Sequence, residues 1–76
     1  MEELVRYLIS AVVGNNDFEI SCDESKSKVT IIRVSTQDEN IGKIIGKNGR
    51  TISSIRTIIR SASAKTGKRY ILKVNE

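Results

Sequence analysis

Gly46 and Gly49 stand three apart, enclose Lys47 and Asn48, and are followed by Arg50 in the run Ile-Gly-Lys-Ile-Ile-Gly-Lys-Asn-Gly-Arg-Thr-Ile over residues 41–52. Glycine serves where a backbone must turn with φ > 0 or must let another molecule come very close. Apolar residues at helical spacing lie on both sides of the run, so the glycines mark a turn between two helices. The second helix then begins with unpaired N–H groups and a partial positive charge, a place for a phosphate. Lys47 and Arg50 add full charges there, while Asn48 is small, tolerates left-handed geometry and can hydrogen-bond. Gly42, one helical turn before Gly46 on the same face, extends a surface that a base or sugar can approach closely. The chemistry this spacing offers is the holding of an anionic backbone.

Other chemistries find little material. A nucleotide-binding P-loop is mimicked by Gly42-Lys-Ile-Ile-Gly46-Lys47, but the spacing is one residue short and Asn48 stands where Ser or Thr is needed. The sequence contains no histidine, which removes imidazole general-base chemistry and the commonest metal ligand together. The carboxylates fall in helix starts and polar turns, where solvation or capping accounts for them. No catalytic residue, metal, cofactor or small-molecule substrate is therefore assigned. Cys22 is the single cysteine, which excludes an internal disulfide, and its alternation with apolar neighbours predicts a small core residue.

Charge divides along the chain. Residues 1–39 carry four basic and eight acidic side chains, and residues 40–76 carry nine basic and one acidic. Such asymmetry is the footprint of a polyanionic partner, although solvated surface faces produce basic clusters as well. The glycine turn sits inside the basic half. At 76 residues the chain is expected to be one small, complete domain, 1–76, with a modest core. Glu2 and Glu3 replace the basic start of a secretory signal, and no apolar run approaches the ~20 residues of a membrane helix. A cytoplasmic protein with no membrane attachment is the expectation.

The elements that must position the turn follow from periodicity. Leu4, Val5, Leu8, Ile9, Val12 and Val13 form one helical stripe over residues 2–13, closed by Gly14-Asn15-Asn16. Phe18, Ile20 and Cys22 alternate with Glu19, Ser21 and Asp23 as a strand. After the polar connection Glu24–Lys28, Val29–Ser35 reads as a second strand. That strand carries Ile32 and Val34 on one face and Val29 and Ile31 on the other, which suggests a central position or a second face partly covered by a partner. Thr36-Gln37-Asp38-Glu39 matches a capping box and opens a short helix that Gly46 ends. A third helix runs from about Arg50 with Ile52, Ile55, Ile59 and Ala62 inward, and Gly67 is placed at its C-terminal cap. Arg69–Asn75 alternates as a last strand. The predicted order is α-β-β-α-α-β: an α+β fold with a three-stranded mixed sheet and three helices on one face, the last two strands parallel.

The pattern Ile-Ile-Gly-x-x-Gly-x-x-Ile in this frame resembles a type II KH domain, and the likeness spans the whole chain. The opening Glu-Glu-Leu-Val-Arg-Tyr-Leu-Ile and the basic run after Ile55 resemble more closely the KhpA family of small single-KH bacterial proteins. Asn15-Asn16-Asp17 lacks the proline often seen at that turn. The resemblance implies binding of single-stranded RNA by a GxxG loop that clamps four nucleotides, with chaperone-like action and links to cell-wall and cell-shape control. It also implies a homodimer, or a heterodimer with a larger KH-containing protein. It places Lys43, Ile45, Ser53 and Arg56 along the groove beside Gly42, Gly46, Lys47, Asn48, Gly49 and Arg50, and Ile44 in the core. On the residues themselves, Ile45 and Ile52 are expected to lie partly in the core, Ser53 to be a helix surface residue, and Gly42 and Gly46 to permit either approach of a ligand or close helix packing.

Aromatic residues are three: Phe18, Tyr7 and Tyr70. With Phe18 and Tyr70 on inward strand faces, a stacking platform is not available, so affinity for one site should be modest and sequence preference loose. No residue declares a 2′-hydroxyl contact, which leaves RNA and single-stranded DNA both open. A competing reading is a protein-interaction module that uses the GxxG surface, or Val29 and Ile31, to pair KH domains.

Overall fold

A computed structural model describes residues 1–24 and 28–75. The middle of the expected Glu24–Lys28 connection and the final residue lie outside them. The described elements are α1 (Glu2–Val13), β1 (Phe18–Glu24), β2 (Val29–Thr36), α2 (Asp38–Ile45), a 3₁₀ turn (Lys47–Gly49), α3 (Arg50–Ser63) and β3 (Arg69–Val74). The order is the predicted α-β-β-α-α-β. Among the described residues, no helix is long and apolar enough to cross a membrane.

β2 is central. It pairs antiparallel with β1, with Ile20 opposite Val34, and parallel with β3, with Ile32 opposite Leu72. The helices cover one sheet face, because only that face carries a continuous apolar set. Val5, Ile9, Ile32, Val34 and Ile44 are fully buried, joined by Val13, Phe18, Ile55, Ile59 and Leu72. Each such side chain removed from water contributes about 1.5–3 kcal/mol. Val29 and Ile31 on the opposite face are half-buried.

Beneath the start of α2 sits a buried polar knot. Asn40, 5% exposed, has its Nδ2 within 3.0 Å of Thr36 Oγ1, 3.1 Å of Asn15 Oδ1 and 3.3 Å of the Asp17 carbonyl. Asn15 Nδ2 returns a bond to Asn40 Oδ1 at 3.3 Å. Thr36 Oγ1 also donates to the Asp17 carbonyl at 2.7 Å. This knot ties the α1–β1 turn, the end of β2 and α2 together. It also replaces the expected capping box: Gln37 is the N-cap, with no side-chain cap bond, because Thr36 still belongs to β2 and its hydroxyl is committed to the knot.

Three further expectations are corrected. Cys22 is exposed, since burial falls along β1 from Phe18 outward and the helical layer does not reach the hairpin end of this edge strand. Its thiol is nonetheless pushed up from its ordinary range, first by partial desolvation and then by nearby Glu2, which favours the unreactive thiol form. Ala62 is exposed and Ser63 takes its place inward, because the buried stripe of α3 steps by four through Ile55 and Ile59. α3 caps at Ala64 in right-handed geometry, and Gly67, at φ 71°, turns the chain three residues later.

Replacing Asn40 with alanine strands the partners of a buried amide, so urea unfolding of Asn40→Ala should show a loss of about 1–3 kcal/mol. The exposed Cys22→Ser should stay within about 0.5 kcal/mol of the parent.

Candidate nucleic-acid interface

Local geometry at the GxxG turn is set by left-handed backbone. Gly46 has φ 73° and ψ 179°, a region essentially reserved for glycine. A Cβ there would also run into the side chain of Thr51, whose own Cβ lies 2.7 Å away. Asn48 (φ 58°) and Gly49 (φ 72°) follow in αL geometry. The turn is closed by Gly49 N–H donating to the Gly46 carbonyl at 3.3 Å and Arg50 N–H donating to the Lys47 carbonyl. Among the described residues no acceptor is recorded for the N–H groups of Lys47 or Asn48.

α3 then starts without a side-chain cap and with no acidic residue in its first turn. Helix N-termini normally recruit a side-chain oxygen or carboxylate to offset their partial positive charge. Here Gly49 stands at the cap and Arg50 adds a cation. Lys47, Asn48 and Arg50 are exposed, and Gly46 and Gly49 are half-buried. The turn brings these five residues into one donor-rich surface.

The remaining expected site residues distribute differently. Gly42 is exposed, with no atom within 4 Å of a built Cβ, so it relieves no helix packing and leaves the last turn of α2 open to approach. Ile45 is 42% exposed rather than partly core; Ile44 is the residue that turns inward. Ile52 does pack against the core. Ser53 is a surface residue of α3. Lys43 reaches the other way, its Nζ 3.5 Å from the Val13 carbonyl at the C-terminal end of α1, where a cation offsets the helix's partial negative charge.

Arg56 leaves α3 toward the sheet, and its Nη2 donates to the Leu72 carbonyl on β3 at 3.3 Å. Around it lies an open groove of about 610 Å³ between α3 and β3, lined among others by Ile59, Arg60, Lys68, Arg69 and Tyr70. Sequence reading missed Arg60, Lys68, Arg69 and Tyr70 as site residues. The signal available was the basic excess after residue 40 together with the expected parallel pairing of the last two strands; what it lacked was the register, Val29 opposite Arg69, that sets the start of β3 beside the end of α3. Among the described residues the ion pairs are Arg6–Glu2 and Arg33–Asp23, so no carboxylate neutralises Lys47, Arg50, Arg56, Arg60, Lys68 or Arg69. The positive potential therefore runs from the GxxG turn along α3 to the groove.

A family model, the KhpA/KhpB KH domain, matches residues 2–74. The RNA-binding protein KhpA of Caldanaerobacter subterraneus is 35% identical over 74 residues, covering 97% of this chain and 99% of that protein. The RNA-binding protein KhpA of Chlamydia pneumoniae is 38% identical over 77 residues, covering 100% and 97%. That of Listeria monocytogenes is 31% identical over 77 residues, with full coverage of both chains. No solved structure matches significantly.

The two glycines before and at the turn should behave oppositely. Gly46→Ala should cost about 1–3 kcal/mol in urea unfolding, through strain and the Thr51 clash. Gly42→Ala should leave stability unchanged or raise it by up to about 1 kcal/mol, since it improves helix propensity in open space. Equal effects at the two positions would contradict this assignment.

Proposed function

This chain belongs to the KhpA/KhpB KH-domain family, and from that premise we propose that it binds single-stranded RNA through the GxxG turn and the α3–β3 groove. It is a binding module rather than an enzyme. The observation that carries the reading is the α3 N-terminus: uncapped, preceded by N–H groups with no recorded acceptor, and flanked by exposed Lys47 and Arg50. Phosphates meet those donors while Gly46 and Gly49 keep side chains out of the way. Gly42, Ile45, Ser53 and Arg56 border the path of the strand, whereas Lys43 is turned to the end of α1, and the bases turn toward β3.

β3 is well suited to that role because one of its edges is free. The Arg69 N–H donates to the carbonyl of Lys28, just before β2, and the Asn75 N–H to that of Val34 in β2. By parallel-ladder alternation, residues 69, 71, 73 and 75 therefore face β2, whereas Tyr70, Leu72 and Val74 direct their backbone groups outward. With few aromatic residues, holding comes from aliphatic contact, backbone hydrogen bonds and charge. Such a grip is modest and suits transient contact with many transcripts, the manner of an RNA chaperone. Pairing with a second KH domain through another surface would add avidity.

A clamp on four nucleotides touches about three phosphates, so raising salt from 50 to 200 mM should weaken binding of a single-stranded RNA octamer about 15- to 20-fold. The double variant Lys47→Asp/Asn48→Asp should lose binding by at least about tenfold at the lower salt, with its oligomeric state and melting unchanged. If that variant instead alters oligomeric state and keeps its RNA affinity, the turn is a protein interface and the RNA reading fails.

A further inference from the structure

The groove's hydrogen-bonding character is lopsided. Four of its side chains, Arg56, Arg60, Lys68 and Arg69, only donate, against the single acceptor left on Ser63, whose hydroxyl hydrogen goes to the Arg60 carbonyl at 3.0 Å. The free edge of β3 offers acceptors at Tyr70, Leu72 and Val74, but the middle one is taken: the Arg56 guanidinium holds the Leu72 carbonyl at 3.3 Å. An exocyclic amine, as on adenine or cytosine, needs an acceptor at that point. A keto oxygen, as on uracil or guanine, needs a donor. Arg56 engages that carbonyl and sets its own N–H groups against an approaching amine, and those same N–H groups supply the donor that a keto oxygen needs.

We propose that Arg56 makes this groove select keto bases, uracil and guanine, over amino bases. The inference rests on the RNA-binding reading and specifies the ligand of that same site. Arg56 is exposed on α3 and touches no other side chain through a recorded hydrogen bond or ion pair, so its replacement leaves the core in place. Freeing the Leu72 carbonyl restores an acceptor flanked by outward N–H groups, the arrangement that accommodates an amino edge.

The test compares fluorescein-labelled RNA octamers of alternating U and G with octamers of alternating C and A, at fixed salt, by fluorescence anisotropy. The parent protein should bind the keto octamer about tenfold more tightly, the discrimination expected of a charged donor facing the correct or the wrong edge. Arg56→Met should bring the ratio to within about twofold or invert it. Arg60→Met, which removes the same charge one turn away, should weaken both octamers alike and leave the ratio standing. Circular dichroism melts confirm that each variant is folded. Equal affinity of the parent for the two octamers, or an unchanged ratio in Arg56→Met, overturns the proposal. Absence of binding to either octamer would instead overturn the RNA-binding reading beneath it.

Discussion

The structure turns on a backbone conformation that only glycine can supply. Gly46 at φ 73° and ψ 179° passes so near Thr51 that no side chain fits, and Asn48 and Gly49 continue in left-handed geometry. This reversal lets α2 and α3 lie against each other with Ile44 and Ile55 in one core. It also leaves the start of α3 without a capping side chain. Fold and proposed binding surface thus share one constraint: the tightness that closes the turn is what keeps its N–H groups uncovered. Strained backbone at a functional turn is tolerable where the surrounding packing over-determines it, and here the core on one side and the buried Asn40 knot on the other hold α2 in place.

Charge is organised in the same economical way. Acidic residues gather in the first half of the chain, where two of them pair locally: Glu2 with Arg6, and Asp23 with Arg33, whose Nε lies 3.0 Å from Oδ2 across β1 and β2. The basic residues of the second half find no carboxylate among the described residues, and Arg56, Arg60, Lys68 and Arg69 line the groove. An exposed ion pair contributes little to stability, so leaving these cations without one costs the fold little. Two of them reach backbone carbonyls instead: Lys43 that of Val13 at the end of α1, and Arg56 that of Leu72 on the free edge of β3. Arg56 thereby adds a charge to the groove and places donor groups at the edge of β3.

The sequence by itself determined whatever depends on local period and residue type. The α1 stripe through Val5 and Ile9, the alternation of β2, its central position and the glycine turn were all legible, because helical and strand periods differ and glycine marks φ > 0. Ile44 inward was legible as well. Residues whose fate depends on what covers them were not. Cys22 alternates correctly but lies where the helical layer ends. Thr36 matches a capping motif but remains in a strand, its hydroxyl drawn to the Asp17 carbonyl and Asn40. Ala62 and Ser63 differ by one step of a stripe whose phase the core decides. Lys43 resembled a groove residue until α1 was seen to present its Val13 carbonyl. The groove itself belongs wholly to the tertiary structure: Arg60, Lys68, Arg69 and Tyr70 meet only because β3 pairs parallel to β2 and returns beneath α3, a long-range register that no local pattern encodes.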